Sequence, residues 1–224
     1  IDLDTLAGQP CWIGVDMSTV GDLTAVVAAF RDPEDEDGFV VLPQFFLPGE
    51  NVRARTHQDG VPYTTWAEDG FIVATPGNRI DTRAVEAHIR ALAATYDVRE
   101  IAFDPAYAAP VMHPLTDDGF PTATLRQGWV TQSPALNVLE GAIVAGKLRH
   151  GGHPVLRWCF ANVAINTDSA GNRTMHKGKS HGDKNRRIDG AVATWMAISR
   201  AAATETTPKS IFDSPDWDDS LGAW

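Results

Sequence analysis

Three apolar runs near the amino end predict the centre of the fold: Cys11-Trp12-Ile13-Gly14-Val15-Asp16, Leu23-Thr24-Ala25-Val26-Val27-Ala28-Ala29-Phe30 and Phe39-Val40-Val41-Leu42-Pro43-Gln44-Phe45-Phe46. Each run has the length and the β-branched or aromatic content of a buried strand. The first link, residues 18–22, contains Gly21 and indicates a turn, and the second, residues 31–38, carries five acids and indicates a solvated hairpin tip. Short links between consecutive strands predict an antiparallel meander.

Helices and strands alternate after the meander. Pro62 and Gly70 bound a short helix, and Asp81 has the position of an N-cap for a helix over residues 82–95. The further predicted elements are a strand over 98–103, a helix over 106–117, a strand over 122–125, a helix from Ser133-Pro134 to about Gly146, a helix over 155–163, a hairpin over 164–175 and a last helix over 188–203. This order predicts an α/β fold with a mixed sheet, in which the meander joins parallel strands and helices flank both.

The amino-acid composition is that of an ordinary globular protein. Its 224 residues are 43% hydrophobic and 21% charged, which excludes a wholly disordered chain, a collagen and a coiled coil. Two cysteines are too few for a disulfide framework or a four-thiolate zinc site, so we expect a reducing, intracellular environment. No apolar run predicts a membrane span. The chain begins with Ile1 instead of Met, so we expect a piece of a longer protein.

The domain boundary that we predict separates residues 1–203, the globular domain, from residues 204–224, a C-terminal tail. The tail carries five acids against one lysine, and its Asp, Ser and Pro content is typical of a flexible chain end. Because it also holds Trp217 and Trp224, docking onto a partner is the other interpretation of this tail.

Charge is distributed unevenly along the chain. The net charge of −10 argues against a simple basic nucleic-acid binder. Residues 171–190 nevertheless contain six basic side chains against two aspartates. We interpret this segment as a flap that contacts DNA phosphates without reading sequence, with a solvated loop as the alternative. Its basic residues are Arg173, Lys177, Lys179, Lys184, Arg186 and Arg187.

Three aspartates occupy particular positions in the predicted fold. Asp16 ends the first strand, Asp104 follows the strand over 98–103, and Asp189 opens the last helix. Each position alone is typical of a cap or a turn. Together they converge on one edge of the sheet, where their mutual repulsion favours divalent cations such as Mg²⁺ or Mn²⁺. Two such ions, about 3.5–4 Å apart, suit hydrolysis of a phosphodiester by water.

This arrangement resembles the RNase H-like nuclease fold, and a series of short fragments resembles, more specifically, the nuclease domain of the large terminase subunit of tailed phages. The resemblance covers about residues 10–200 in order. Its fragments are Asp16-Met17-Ser18 with Asp22-Leu23-Thr24-Ala25, Val61-Pro62-Tyr63 with Trp66, Thr75-Pro76-Gly77-Asn78 with Ile80-Asp81, Phe103-Asp104-Pro105, Gln127-Gly128, Gly146-Lys147-Leu148 with His150, and Lys184 to Ile188-Asp189.

The resemblance implies an RNase H-like nuclease domain that cuts concatemeric double-stranded phage DNA during packaging, with two Mg²⁺ or Mn²⁺ ions. It implies Asp16, Asp104 and Asp189 as catalytic metal ligands. Asp183 is a further candidate ligand whose other interpretation is a surface partner of Lys184 or Arg186. We expect Lys177, Lys179, Lys184, Arg186 and Arg187 to bind DNA, and His181 to transfer a proton or to be polar surface.

The partners that the resemblance implies are double-stranded DNA, an N-terminal packaging ATPase domain in the same full-length chain, the portal and the small terminase subunit, all in the host bacterial cytoplasm. ATP hydrolysis is not expected of this chain. Gly178-Lys179-Ser180 resembles the end of a P-loop, but the first glycine of that motif would fall on Arg173.

Three alternatives stay open. A junction resolvase or transposase core would use the same chemistry on another DNA. An actin-like ATPase shares the opening strand, aspartate and second strand, but it needs two domains and a second phosphate loop. A non-catalytic interaction module would carry the acids for structure alone.

Overall fold

The computed structural model describes residues 1–19, 23–178 and 186–203. Within these ranges seven strands form one sheet and two further strands form a separate hairpin. The strands of the sheet are β1 (Pro10–Asp16), β2 (Thr24–Asp32), β3 (Asp35–Pro48), β4 (Ile72–Thr75), β5 (Asp97–Phe103), β6 (Thr122–Thr124) and β7 (Leu148–Arg149). The hairpin consists of β8 (Val163–Thr167) and β9 (Arg173–Lys177). The helices are α1 (Val52–Asp59), α2 (Tyr63–Glu68), α3 (Thr82–Thr95), α4 (Ala109–Asp117), α5 (Trp129–Val144), α6 (Pro154–Ala161) and α7 (Asp189–Ala203).

The sheet is mixed, as the sequence predicts. Strands β1, β2 and β3 form the antiparallel meander. Strand β5 lies parallel to β1, and β6 lies parallel to β5 on its other side. Both β4 and β7 lie parallel to β3 along its outer edge. The carboxyl ends of β1 and β5 therefore meet at the same edge of the sheet, which is where parallel strands of an α/β protein present their functional groups.

Alternation along β1 separates two cores. Ile13 and Val15 face α3 and α4, where Ile89 and Val111 are fully buried. Trp12 faces the opposite layer, which is built from α5, α6 and α7. Helix α7 contributes most to that layer, and eleven of its residues are buried. A helix buried on nearly all sides fixes the position of its own first turn, which carries Asp189.

The hairpin tip between β2 and β3 is exposed at residues 33, 34, 36 and 37, as the sequence predicts, but ion pairs hold Asp32 and Asp35. The strands continue to Asp32 and restart at Asp35. Asp32 is almost fully buried and pairs with Arg149 at 3.1 Å, and Asp35 pairs with Lys147 at 2.9 Å. The Lys147 ammonium holds the pKa of Asp35 below its usual range. These ion pairs attach β7 and the residue before it to the hairpin tip. The paired residues are far apart in the sequence, so no local pattern predicts the contacts.

Two helix predictions require correction, and some further elements were not predicted. Helix α5 begins at Trp129, so Ser133 is not its N-cap and Pro134 lies inside it. Helix α4 begins at Ala109 instead of residue 106, because Tyr107 has a left-handed backbone with φ of 60° that a helix cannot include. Helix α1 and strand β4 had no prediction.

Gln132 explains why α5 starts early. Its side-chain oxygen accepts from Met175 N at 2.8 Å, and its carbonyl accepts from Trp195 Nε1 at 3.2 Å. These bonds to β9 and α7 hold the turn that precedes Pro134 in place. The predicted cap at Asp81 is confirmed, since its carboxylate accepts from Arg83 N at 3.0 Å.

The α-helices described here are all too short or too polar to span a lipid bilayer. The predicted tail, residues 204–224, lies outside the described residues, as do Lys179, His181, Asp183 and Lys184.

Candidate metal centre and active site

The first two predicted aspartates are neighbours at the edge of the sheet. Asp16 is the last residue of β1, and Asp104 directly follows β5. The two strands are paired up to Val15 and Phe103, and Asp104 N donates to Val15 O at 3.2 Å. Main-chain bonding therefore brings the two carboxyl-bearing residues side by side.

The third aspartate reaches the same edge through α7. Helix α7 crosses β1 at Gly14, where an added Cβ would collide with Ala193 O and lie 2.8 Å from Ala197 N. Because Ala193 is one helical turn after Asp189, and Gly14 is two residues before Asp16, this close crossing places the two aspartates together. Asp189 is only 7% exposed, so its carboxyl group lies at the base of the site.

One cavity of about 340 Å³ connects these residues. Asp16 and Asp189 line it together with Lys177 of β9 and Gln127 of the β6–α5 loop. Met17, Ile188 and Val192 supply apolar wall. The cavity thus combines two carboxylates with one ammonium group on a partly apolar floor.

Asp104 does not line this cavity but is hydrogen-bonded to Gln127, which does. Gln127 Nε2 donates to its Oδ2 at 2.6 Å, and Ala106 N donates to its Oδ1 at 2.8 Å. Both bonds favour an oriented carboxylate at a residue that is only 9% exposed. Gln127 belongs to a fragment of the sequence resemblance, but nothing in the sequence indicated that it would orient Asp104.

The pKa of Cys159 on α6 is affected by the charged groups of the site. Burial raises the pKa of its thiol, Asp189 and Asp16 raise it further, and Lys177 opposes them. The thiol senses both carboxylates because all three groups lie close together. A protonated thiol at this position acts as small apolar packing, with no nucleophilic role.

The three aspartates have the chemistry that a hard divalent cation requires of its ligands. Asp16, Asp104 and Asp189 supply carboxylate oxygens, the ligands that Mg²⁺ and Mn²⁺ prefer, and the cavity leaves space for water and a phosphate. Within residues 1–19, 23–178 and 186–203, no group of three or more His, Cys, Asp or Glu side chains is already arranged to hold a metal ion. Asp183, the further candidate ligand, falls outside these ranges.

The basic residues predicted to bind DNA occupy different environments. Lys177 is exposed and lines the cavity. Arg186 lies against Gly178, where an added Cβ would be 2.5 Å from its Nη1. Lys179 and Lys184 are outside the described residues, so their role stays a prediction.

Arg187 differs from the others because it is mostly buried. Its Nη2 lies 3.8 Å from Asp59 Oδ2, and the two side chains are 15% and 5% exposed. Tyr63 O–H donates to the same Asp59 oxygen at 3.2 Å, and burial, followed by Asp59, raises the pKa of Tyr63. This cluster attaches the chain just before Asp189 to α1 and α2. A phosphate contact by Arg187 stays a prediction.

The chain is similar to known proteins along most of its length. The family model described as terminase large subunit, endonuclease domain, matches residues 1–205. The large terminase subunit of Enterobacteria phage HK97 is 35% identical over 212 residues, which are 90% of this chain and 39% of that protein. The crystal structure of the HK97 large terminase has a TM-score of 0.75 at 31% identity and covers 88% of this chain and 42% of that one.

A more distant structure shares the fold alone. The large terminase nuclease of thermophilic phage G20c, crystallised with bound magnesium, has a TM-score of 0.51 at 13% identity and covers 88% of this chain and 94% of that one. The predicted fold, an RNase H-like domain with a mixed sheet between helices, is therefore confirmed. The chain spans well under half the length of the HK97 protein. By its family model and its closeness to the HK97 sequence, the chain belongs to the endonuclease domain family of phage terminase large subunits.

Proposed function

We propose that this chain is a Mg²⁺- or Mn²⁺-dependent endonuclease that hydrolyses phosphodiester bonds of concatemeric double-stranded DNA during phage genome packaging. The observation that carries the proposal is the shared cavity of Asp16 and Asp189, with Asp104 bonded to its wall through Gln127. Membership of the terminase nuclease family supports the same conclusion independently.

The metal ligands in this proposal are Asp16, Asp104 and Asp189, with Asp183 as a fourth candidate. The G20c nuclease domain, which shares the fold, was crystallised with magnesium. When two ions are bound, they supply an activated water and stabilise the leaving 3′ oxygen. The protein's own part is to present Asp16, Asp104 and Asp189 at one edge of the sheet, with Asp104 and Asp189 mostly buried, where a bound cation would offset the repulsion between the carboxylates.

The neighbouring side chains orient the reactants. Gln127 keeps the Asp104 carboxylate in one direction through its 2.6 Å bond. Lys177 on β9 places a positive charge at the cavity, where it attracts the phosphodiester. Met17, Ile188 and Val192 limit the water that reaches the centre. His181 stays a candidate for proton transfer to the leaving group.

DNA binding in this proposal depends on phosphate contacts. The proposed phosphate-binding residues are Lys177, Lys179, Lys184, Arg186 and Arg187, and contacts to phosphates carry no base code. We therefore infer little sequence preference. The longer terminase would add an N-terminal packaging ATPase domain, the portal and the small terminase subunit as partners, in the cytoplasm of the host bacterium.

The proposal predicts that each of the three aspartates is required for cleavage. Asp16→Ala, Asp104→Ala and Asp189→Asn should each lower plasmid nicking in Mg²⁺ or Mn²⁺ by more than about 100-fold, because metal ligands matter at least as much as the residues that orient them. Asp16→Ala and Asp189→Asn remove repulsion between like charges, so the melting temperature of these two variants should stay equal or rise. Asp104→Ala also removes the acceptor of Gln127 Nε2 and Ala106 N, so this variant should melt at a lower temperature.

Asp97→Asn is the matched control. Asp97 lies at the opposite end of β5, where its carboxylate pairs with the exposed Arg99 at 2.6 Å. It should nick DNA at the unsubstituted rate. Undiminished nicking by all three active-site variants, measured on folded protein, would disprove the site assignment.

A further inference from the structure

An exposed aromatic residue with a left-handed backbone lies at the mouth of the proposed active site. Tyr107 has φ of 60° and is 62% exposed. It is the single residue other than glycine with a positive φ among the described residues. Bulky side chains rarely adopt this conformation, because it costs on the order of 1 kcal/mol or more, and such residues cluster at functional sites.

The turn that contains Tyr107 also orients the side chain of Asp104. Asp104 Oδ1 accepts from Ala106 N at 2.8 Å, and Tyr107 is the next residue. Directly afterwards Ala108 is buried against α4 and its neighbours. The left-handed residue therefore reverses the chain between a buried carboxylate and a buried helix start, and it leaves the phenol ring outside both.

Tyr107 separates two adjoining cavities. The first is the 340 Å³ cavity of Asp16 and Asp189. The second, of about 310 Å³, is lined by Arg79 and Pro110. Both cavities are also bounded by residues 17–19, so Tyr107 and this segment form a wall that the carboxylate cavity shares with the Arg79 cavity.

The loop that carries Arg79 is attached to the active-site strand. Ile80 N donates to Thr19 O at 3.3 Å, and Asp81 N donates to the buried Thr75 hydroxyl at 3.2 Å. Arg79 itself is exposed. Its distance from the carboxylates is thus set by main-chain bonding, although 60 or more residues separate it from Asp16 along the chain.

The second cavity has the chemistry of a nucleotide site. Met17, Ile80 and Pro110 give it apolar walls, Tyr107 gives it an aromatic face, and Arg79 gives it one positive charge. Aromatic side chains stack on bases regardless of their identity, and a guanidinium group binds a phosphate at two points. One nucleotide of a strand that runs away from the carboxylates would meet these two groups in turn.

We propose that Tyr107 and Arg79 form a subsite for the nucleotide that flanks the scissile phosphate: Tyr107 stacks on its base, and Arg79 binds the phosphate on its far side. The inference deepens the proposed nuclease function and rests on it. Stacking on Tyr107 requires the base to leave its neighbours in the duplex, so the subsite distorts the DNA at the cut and holds the phosphodiester in the carboxylate cavity.

Substitutions at Tyr107 separate the aromatic face from the backbone conformation. Tyr107→Phe keeps the ring and should retain the cleavage rate. Tyr107→Asn removes the ring, but asparagine tolerates the left-handed region, so this variant should melt at an equal or higher temperature while cleaving about tenfold more slowly. A variant that loses activity and stability together would point to a structural role and overturn the proposal.

Arg79→Ala should weaken DNA binding. The slope of the logarithm of the binding constant against the logarithm of salt concentration should become shallower by the amount expected for about one phosphate contact. Arg99→Ala is its matched control, because Arg99 is 54% exposed at the opposite end of β5 and pairs with Asp97. Equal salt slopes for the two variants would overturn the Arg79 assignment.

The decisive experiment uses a short duplex that carries an abasic residue at one defined position, and cleavage is mapped at the phosphodiesters on both sides of it. The unsubstituted protein should cleave and bind the abasic duplex about tenfold less well than the intact duplex. Tyr107→Asn should cleave and bind the two duplexes equally well, because this variant has no ring on which a base can stack. An abasic penalty of the same size in both proteins would overturn base stacking.

Binding is measured by fluorescence anisotropy without divalent metal, so this readout does not depend on hydrolysis. Absence of cleavage by the unsubstituted protein, with a base-dependent difference in binding retained, would contradict the nuclease proposal and keep the subsite. Normal cleavage with no effect of Tyr107→Asn would contradict the subsite and keep the nuclease.

Discussion

At the scale of single residues, Gly14 controls the distance between two of the proposed metal ligands. A Cβ at this position would collide with Ala193 O and lie 2.8 Å from Ala197 N, both in the backbone of α7. Glycine inside a strand often marks such a close approach of another chain segment. The apolar content of residues 11–16 predicts β1 as a strand, but no local pattern indicates that the backbone of α7 lies directly on Gly14.

We predict that Gly14→Ala separates α7 from β1. The methyl group has no flexible neighbour to displace, so the free energy of unfolding should fall by about 1–3 kcal/mol. Asp189 would move away from Asp16, and the Mn²⁺ concentration needed for half-maximal nicking should rise. Urea unfolding and a metal titration measure the two effects.

Gly141→Ala is the control for Gly14→Ala. Gly141 lies inside α5, and an added Cβ there has no atom within 4 Å. Alanine is favoured over glycine in a helix, so this variant should be more stable by up to about 1 kcal/mol. Equal stability changes at the two glycines would contradict the packing of α7 on β1.

At the scale of elements, α6 begins at a histidine that must be neutral. His153 is the N-cap, and its Nδ1 accepts from Leu156 N at 3.4 Å. Its ring packs between Phe45 and Phe71, at centroid distances of 5.3 and 4.9 Å. Burial, with a smaller contribution from His150, lowers the pKa of His153 from 6.5 to about 4.

We predict that α6 makes the fold sensitive to acid. The pKa of His153 is lower in the folded state than in the unfolded state, so the unfolded chain binds more protons between pH 6.5 and 4. The stabilisation is complete above pH 6.5 and is lost as the pH falls towards 4. His153→Asn keeps a cap acceptor without titrating, so its stability should fall less steeply.

Urea unfolding of both proteins at several values between pH 7 and pH 4.5 measures this difference. His150 is coupled to His153, so His150→Asn in both proteins removes its titration, and the remaining difference reports His153. Parallel stability curves would contradict a neutral cap at this helix.

The elements that sequence predicts well are those with strong local signals. The meander, the Asp81 cap of α3 and the hairpin β8–β9 each depend on periodicity or on turn chemistry within a few residues. The start of α5 was wrong because Ser133-Pro134 has the local form of a helix start, whereas bonds from Gln132 to β9 and α7 extend the helix backwards. Tertiary contacts of this kind leave no local pattern.

At the scale of the whole molecule, the distribution of charge explains how an acidic chain can suit DNA. Four acids of the β2–β3 tip are paired with Lys147 or Arg149, and the proposed metal ligands would be neutralised by cations. Lys177 lies at the cavity itself. The net charge of −10 is therefore an average over unlike surfaces and does not describe the surface around the proposed metal site.

The whole fold also explains which part of the site sequence could predict. Strand ends were enough to predict that Asp16 and Asp104 lie at one edge, because parallel strands bring their carboxyl ends together, and a helix start was enough to predict Asp189 beside them. The role of all three as metal ligands stays a prediction. Gln127 and Tyr107 were not selected, since one acts through a single side-chain bond and the other through an unusual backbone angle. Both are consequences of loop geometry that only the three-dimensional structure supplies.

Asp16, Asp104 and Asp189 are proposed to bind divalent metal together, and anomalous diffraction from crystals soaked in Mn²⁺ can locate the metal. We expect an anomalous peak between these three carboxylates and its loss in Asp189→Asn. Manganese bound only elsewhere, in crystals of protein that cleaves DNA with Mn²⁺, would contradict it.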